Sequence, residues 1–90
     1  MESVYAVYKY NLSKGKLVTL PVGAKPLSVI AQGEELMMYA LVDVTEQKTE
    51  NKDFLVLGTG WESYGNPTEK YNFLGTVVNG SYVWHVWIEK

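Results

Sequence analysis

The sequence predicts an all-β fold: a small antiparallel sandwich or partly open barrel of about seven strands, oligomeric in its assembled form. Three observations carry this. Short runs dense in Val, Ile, Tyr, Trp and Leu recur along the chain, and clusters of Gly, Pro, Asn and Ser punctuate them. No segment holds an apolar 3.6-residue period long enough for a helix. The chain has 90 residues, 47% hydrophobic and 20% charged, which is one domain spanning 1–90 with no room for a second core.

The elements follow in order. Residues 4–10 (VYAVYKY) form the first strand, and 11–16 (NLSKGK) supply turn chemistry. Residues 17–20 form the second strand, stopped by Pro21. The stretch 21–26 contains Pro21 and Pro26, which lack ladder donors, so it cannot lie in a central strand. Residues 27–32 form the third strand, with Gly33-Glu34-Glu35 as a tight turn before the fourth at 36–43. Residues 45–52 are polar and charged and read as a loop or a frayed hairpin end. The fifth strand is the apolar run 54–57. The longest irregular segment, 58–70, holds three Gly, one Pro and two aromatics, and long loops in compact domains are usually functional or disordered. Residues 71–78 and 82–88 form the sixth and seventh strands, joined at Asn79-Gly80, a type I′ hairpin signal.

Absences narrow the function. With no Cys, the chain has no disulfide framework, thiolate metal site or Cys nucleophile. His85 is the only His, so one chain offers no two-His metal site, and no metal or other cofactor is expected. All eight fixed positive charges are Lys, and the net charge is −2. That balance argues against duplex nucleic acid, whose binding depends on clustered cations facing phosphates. The longest apolar stretch is 36–42, far short of the ~20 residues a membrane helix needs. Met1-Glu2-Ser3 lacks the basic start and apolar run of a secretory signal, so an intracellular, cytoplasmic location without membrane association is expected.

The alternation raises a packing problem. In the seventh strand Tyr82, Trp84, Val86 and Ile88 share one face, and Val83, His85, Trp87 and Glu89 the other. In the fourth, Leu36, Met38, Ala40 and Val42 oppose Met37, Tyr39, Leu41 and Asp43. A strand with one wet face alternates apolar with polar, and neither strand does so. A second chain covering one face resolves this. A homo-oligomer is expected, a two-fold dimer being the simplest form, although a closed sandwich that hides both faces is the alternative.

Several residues are candidate ligand contacts. Gly58-Thr59-Gly60-Trp61 ends a strand in a glycine turn whose backbone N–H groups can face an anion, and Trp61 and Tyr64 can stack on a ring. The turn precedes no helix, so it is neither a phosphate-binding P-loop nor a dinucleotide fingerprint. Lys25 is a loop cation within reach of a phosphate. His85 and Tyr39 are placed to line a seam between subunits. Asp43 ends an apolar strand, where it caps a turn or pairs with a Lys. Glu34 and Glu35 decorate a turn, and Ser28, Ser63 and Ser81 lack a nucleophile-elbow context.

Five segments occur in order: LPVGAKPLSV at 20–29, ALVD at 40–43, LGTG at 57–60, GTV at 75–77 and VWHV at 83–86. Together, across residues 4–88, they resemble an uncharacterised family of short all-β proteins encoded by phages and prophages. That family often places a polar residue or His after the Gly-Thr-Gly step, where this chain has Trp61. The resemblance implies a phage protein acting in the cytoplasm of an infected bacterial host. By analogy with other small acidic phage oligomers, it further implies a non-enzymatic protein that sequesters a nucleotide-derived host immune signal, such as a cyclic oligonucleotide or an ADP-ribose derivative. In that reading Trp61 and Tyr64 stack on the base, Thr59 and Gly60 donate to phosphate, and Lys25 supplies charge. Two other readings stay open. One is a structural or protein-interaction module, in a virion or on a host protein. The other is a small hydrolase built on His85.

Overall fold

The computed structural model describes residues 2–90. Seven strands form two antiparallel sheets. β1 (Tyr5–Asn11), β4 (Glu35–Asp43) and β3 (Lys25–Gln32) make a three-stranded sheet in that order. β2 (Leu17–Pro21), β5 (Thr49–Gly58), β7 (Tyr82–Glu89) and β6 (Tyr71–Asn79) make a four-stranded sheet. The first half of the chain switches sheet at each of three connections, and β5 to β7 then remain in the larger sheet.

The inner faces meet in one core. Leu20, Met38, Ala40, Val42 and Val86 are fully buried there, joined by Leu12, Val18, Val29, Val77 and Ile88. Met38, Ala40 and Val42 occupy alternate positions of β4, and Val86 and Ile88 alternate positions of β7, so the period of two assigns the inner faces as expected. Each fully buried large aliphatic contributes about 1.5–3 kcal/mol relative to exposure.

The prolines lie where a sheet tolerates them. Pro21 ends edge strand β2, and Pro26 lies in edge strand β3, next to a bulge between Pro26 and Ser28. A second bulge interrupts β6 between Phe73 and Gly75. The two bulged edges approach each other, and a Cβ on Gly75 would sit 3.0 Å from Val29 Cγ1. The two edges are therefore close enough here that a side chain at position 75 would have to displace Val29 by a few tenths of an ångström.

Two expectations are corrected. β5 begins at Thr49, inside the stretch expected to be a loop. Its first half pairs with β2, from Leu17 opposite Asp53 to Pro21 opposite Thr49. Glu50 and Lys52 stand opposite Leu20 and Val18 at the sandwich margin, 4.0 Å apart as an ion pair. The neighbouring strand fixes this segment, and the long stems of its charged residues cover apolar surface. The second correction concerns the β6–β7 turn. Asn79 pairs with Tyr82, so Gly80 and Ser81 are the central residues; only Gly80 has a positive φ, +62°. This is a type II′ turn with glycine first, in place of the expected type I′. The β3–β4 turn has the same form, with Gly33 at φ +62° between Gln32 and Glu35.

Candidate functional site: an aromatic pair between two clefts

Four connections converge at one end of the sandwich. The β1–β2 loop docks on the start of β4, where Leu12 N–H donates to Leu36 O (2.8 Å) and Leu36 N–H to Ser13 Oγ (2.9 Å). The two type II′ turns lie side by side, and Asn79 Nδ2 donates to Gly33 O at 3.1 Å. The segment after β5 turns tightly, with Trp61 N–H on Gly58 O at 3.0 Å and Gly60 at φ +85°.

Three aromatic rings gather there. Tyr82 stacks on Trp84 with ring centroids 5.6 Å apart and planes 14° from parallel. Trp61 meets Trp84 edge to face at 5.3 Å. The Trp61 ring lies against Gly58, where a Cβ would be 2.7 Å from Trp61 Cε2, so the glycine opens the space that the indole occupies. Trp61 and Tyr82 remain 60% and 64% exposed, which makes them a surface for contact as well as a core margin.

Two clefts share the Tyr82–Trp84 pair as lining. One, of about 190 Å³, is lined by Gly58, Thr59, Trp61, Ser81, Tyr82 and Trp84. The other, of about 400 Å³, is lined by Glu34, Asn79, Gly80, Ser81, Tyr82 and Trp84. Rings, hydroxyls, an amide and one carboxylate make up these walls, and no Lys lines either among the described residues.

The structure sorts the candidates from the sequence into separate places. Thr59, Gly60 and Trp61 are together at this end. Thr59 N–H donates to Val83 O at 3.2 Å, so of the two residues expected to donate to phosphate, Thr59 and Gly60, the first already has its amide on a backbone carbonyl. Tyr64 is fully exposed on a different groove, of about 330 Å³, beside Leu55, Asn66 and Lys70. Lys25 starts β3 and Tyr39 lies mid-β4, both in the other sheet; they pair with Leu41 and with Lys9 and Ser28. Neither lines a cleft at the aromatic end.

His85 faces the outside of the four-stranded sheet, bracketed by hydroxyls. Thr59 Oγ1 lies 2.7 Å from Nε2 and Thr76 Oγ1 3.0 Å from Nδ1. In a neutral imidazole one ring nitrogen donates and the other accepts, and a hydroxyl can serve either role. The contact ties the glycine turn to β6 through β7. His85 and Tyr39 lie on opposite outer faces of the sandwich, since Leu57 opposite His85 and Leu41 beside Tyr39 both point away from the core. A two-fold interface on one face therefore contains one of them and not the other.

A second polar cluster lies on the outer face of the larger sheet. Asp53 Oδ2 accepts from Tyr71 Oη (2.8 Å) and Lys70 Nζ (3.3 Å). The Tyr71 hydrogen bond, with Lys70 behind it, holds the Asp53 carboxyl below the usual range. Asp53 in turn raises Lys70, and burial, reinforced by the bond to Asp53, raises the Tyr71 phenol. Asp43 caps the β4–β5 turn: its Oδ1 accepts from Thr45 Oγ1 (2.5 Å) and N–H (2.9 Å), which lowers its pKa.

Tyr82, Trp84, Glu34 and Thr76 join the site without having been singled out. Alternation placed Tyr82 and Trp84 on one face of a strand apolar on both, and only the folded topology brings the turns of β3–β4 and β6–β7 to the end that carries Trp61. Among the described residues no group of three His, Cys, Asp or Glu side chains could hold a metal ion, and no helix is long and apolar enough to cross a membrane.

No curated protein and no solved structure matches the chain. Residues 4–90 match a domain of unknown function, DUF7352, and the chain belongs to that family.

Proposed function

We propose that this chain is a non-enzymatic binding protein that captures a small nucleotide-derived ligand at its aromatic end, as a dimer of identical chains. The observation that carries this reading is the Tyr82–Trp84 pair shared by two clefts, with Trp61 lining one of them. Exposed, partly immobilised rings offer flat stacking surfaces to a base, each worth about 1–3 kcal/mol. The clefts hold hydroxyl and amide partners suited to a sugar. His85 has both nitrogens on threonine hydroxyls and no carboxylate to orient it, an arrangement that favours a structural tie over acid–base chemistry.

Function is then stoichiometric. A phage setting, with the signal withdrawn from a host effector in the bacterial cytoplasm, is the context this reading suits. Such withdrawal needs nanomolar affinity, about −12 kcal/mol, and demands several stacked rings. Lys25 lies away from both clefts, so the ring is the anchor and any phosphate points outward. Calorimetry against cyclic dinucleotides and cyclic ADP-ribose isomers tests the proposal. Heat of binding with at least one is expected, and Trp61→Ala or Tyr82→Ala should weaken it by roughly tenfold or more. No heat across the panel ends the reading.

A further inference from the structure

We infer that the larger cleft selects a guanine base, with the Glu34 carboxylate reading its donor edge. This rests on the proposed capture of a nucleotide-like ligand and names the part that is recognised. The 400 Å³ cleft is lined by two rings, Tyr82 and Trp84, and by three polar side chains, Glu34, Asn79 and Ser81, which make up its polar wall. The rings supply a stacking plane that any base satisfies. Discrimination must come from the polar wall.

That wall is rich in acceptors. A carboxylate accepts only, through two oxygens side by side. Asn79 commits one of its two amide N–H groups to Gly33 O, and its carbonyl oxygen stays free to accept beside the carboxylate. The ligand edge that fits must carry donors and no negative charge. Guanine presents N1–H and the N2 amino group in parallel, the spacing that a carboxylate takes as a pair of hydrogen bonds. Adenine offers one amino donor beside an acceptor nitrogen, and uracil one N–H between two carbonyls that face the carboxylate with like polarity. Phosphate is disfavoured at the same wall, since Glu34 repels it and no Lys lines the cleft among the described residues.

Glu34 is well placed for this role. It is the second central residue of a two-residue turn whose sharp bend is made by Gly33, and the hydrogen bond from Asn79 to Gly33 O fixes that turn against the β6–β7 hairpin. The carboxylate is exposed on a rigid mount and has no assigned partner among the side-chain hydrogen bonds and ion pairs of the described residues.

The test uses uncharged nucleosides, titrated into the whole protein while tryptophan emission is followed. Guanosine should bind roughly tenfold tighter than inosine, which lacks the amino group, and than adenosine or uridine. Glu34→Gln, a change at an exposed turn position, should erase that preference while leaving the weaker nucleosides as they were. Tyr82→Ala should weaken all of them. Equal affinity for the four nucleosides, a preference for another base, or a guanosine preference that survives Glu34→Gln overturns the inference and leaves ring capture standing. If no nucleoside binds and the cyclic dinucleotides and cyclic ADP-ribose isomers give no heat either, both fall; nucleotide binding without nucleoside binding overturns the base-edge inference alone.

Discussion

At the scale of single residues, the two glycines of the Gly-Thr-Gly step have different jobs that the sequence presents as one motif. Gly60 makes the turn by its positive φ, whereas Gly58 makes room for the Trp61 indole. The spacing of the motif was legible; the destination of Trp61 was not, because it depends on Trp84 arriving from a strand more than twenty residues later. The Asp53–Tyr71–Lys70 cluster gives a prediction with a definite sign. The folded-state pKa of Asp53 is depressed, so its contribution to stability is present above the unfolded carboxyl value, near 3.9, and is lost as pH falls through the folded value. Lys70 and Tyr71 are raised, so their contributions are complete below their unfolded values, near 10, and are lost as pH rises through the folded ones. Chemical denaturation across pH should show a plateau between these limits. Asp53→Asn should flatten the acid limb below pH 4, and an acid limb of unchanged slope would remove the cluster from the explanation. The size of the effect is small, since Lys70 is more than half exposed and solvent screens the pair.

At the scale of elements, strands were legible wherever burial alone determined them. β4 and β7 are apolar on both faces, which marked them as strands, and the structure turns Met38, Ala40, Val42, Val86 and Ile88 inward. Legibility failed where a neighbour decides. The first half of β5 is polar by composition and is a strand because β2 pairs with it. The bulges in β3 and β6 fall beside Pro26 and Gly75, residues that weaken a ladder, but the size and place of each register shift appear only in the paired strands. The β6–β7 turn differs from expectation by one residue of register, which moves Gly80 from the second central position to the first. The positive φ of Gly80, common to both turn types, is testable. Gly80→Ala places a Cβ at φ +62° and should cost about 1–2 kcal/mol. Gly15→Ala has neither a positive φ nor an atom within 4 Å of the new Cβ, and should be neutral or slightly stabilising. Urea unfolding of the two variants side by side checks the assignment, and equal effects would contradict it.

At the scale of the whole molecule, surface area poses the question of assembly. A folded monomer of this mass is expected to expose about 5,300 Å². This chain exposes 6150 Å². The excess, about 800 Å², matches one partner's share of a standard interface. It arises from shape: the molecule extends 48 × 30 × 18 Å, a thin slab whose outer faces are large for its volume. The two outer faces are not equivalent. That of the larger sheet is broken by His85 with its two threonines and by the Asp53 cluster. That of the smaller sheet carries Tyr5, Val7, Met37, Tyr39, Leu41 and Ile30, with Lys9, Lys25, Ser28 and Asp43 set among them, and Tyr5 and Val7 are each more than half exposed. A two-fold pairing of this face would double the thin dimension and remove the excess, placing Tyr39 at the seam and His85 outside it. Light scattering at micromolar concentration should therefore give a species near twice 10.2 kDa. Val7→Glu should shift it to monomer, because a carboxylate at the seam would have to be desolvated where an apolar side chain packed, while Phe73→Glu on the opposite sheet should leave it unchanged. A monomeric parent protein would end the dimer, and dissociation by Phe73→Glu alone would transfer the interface to the four-stranded sheet.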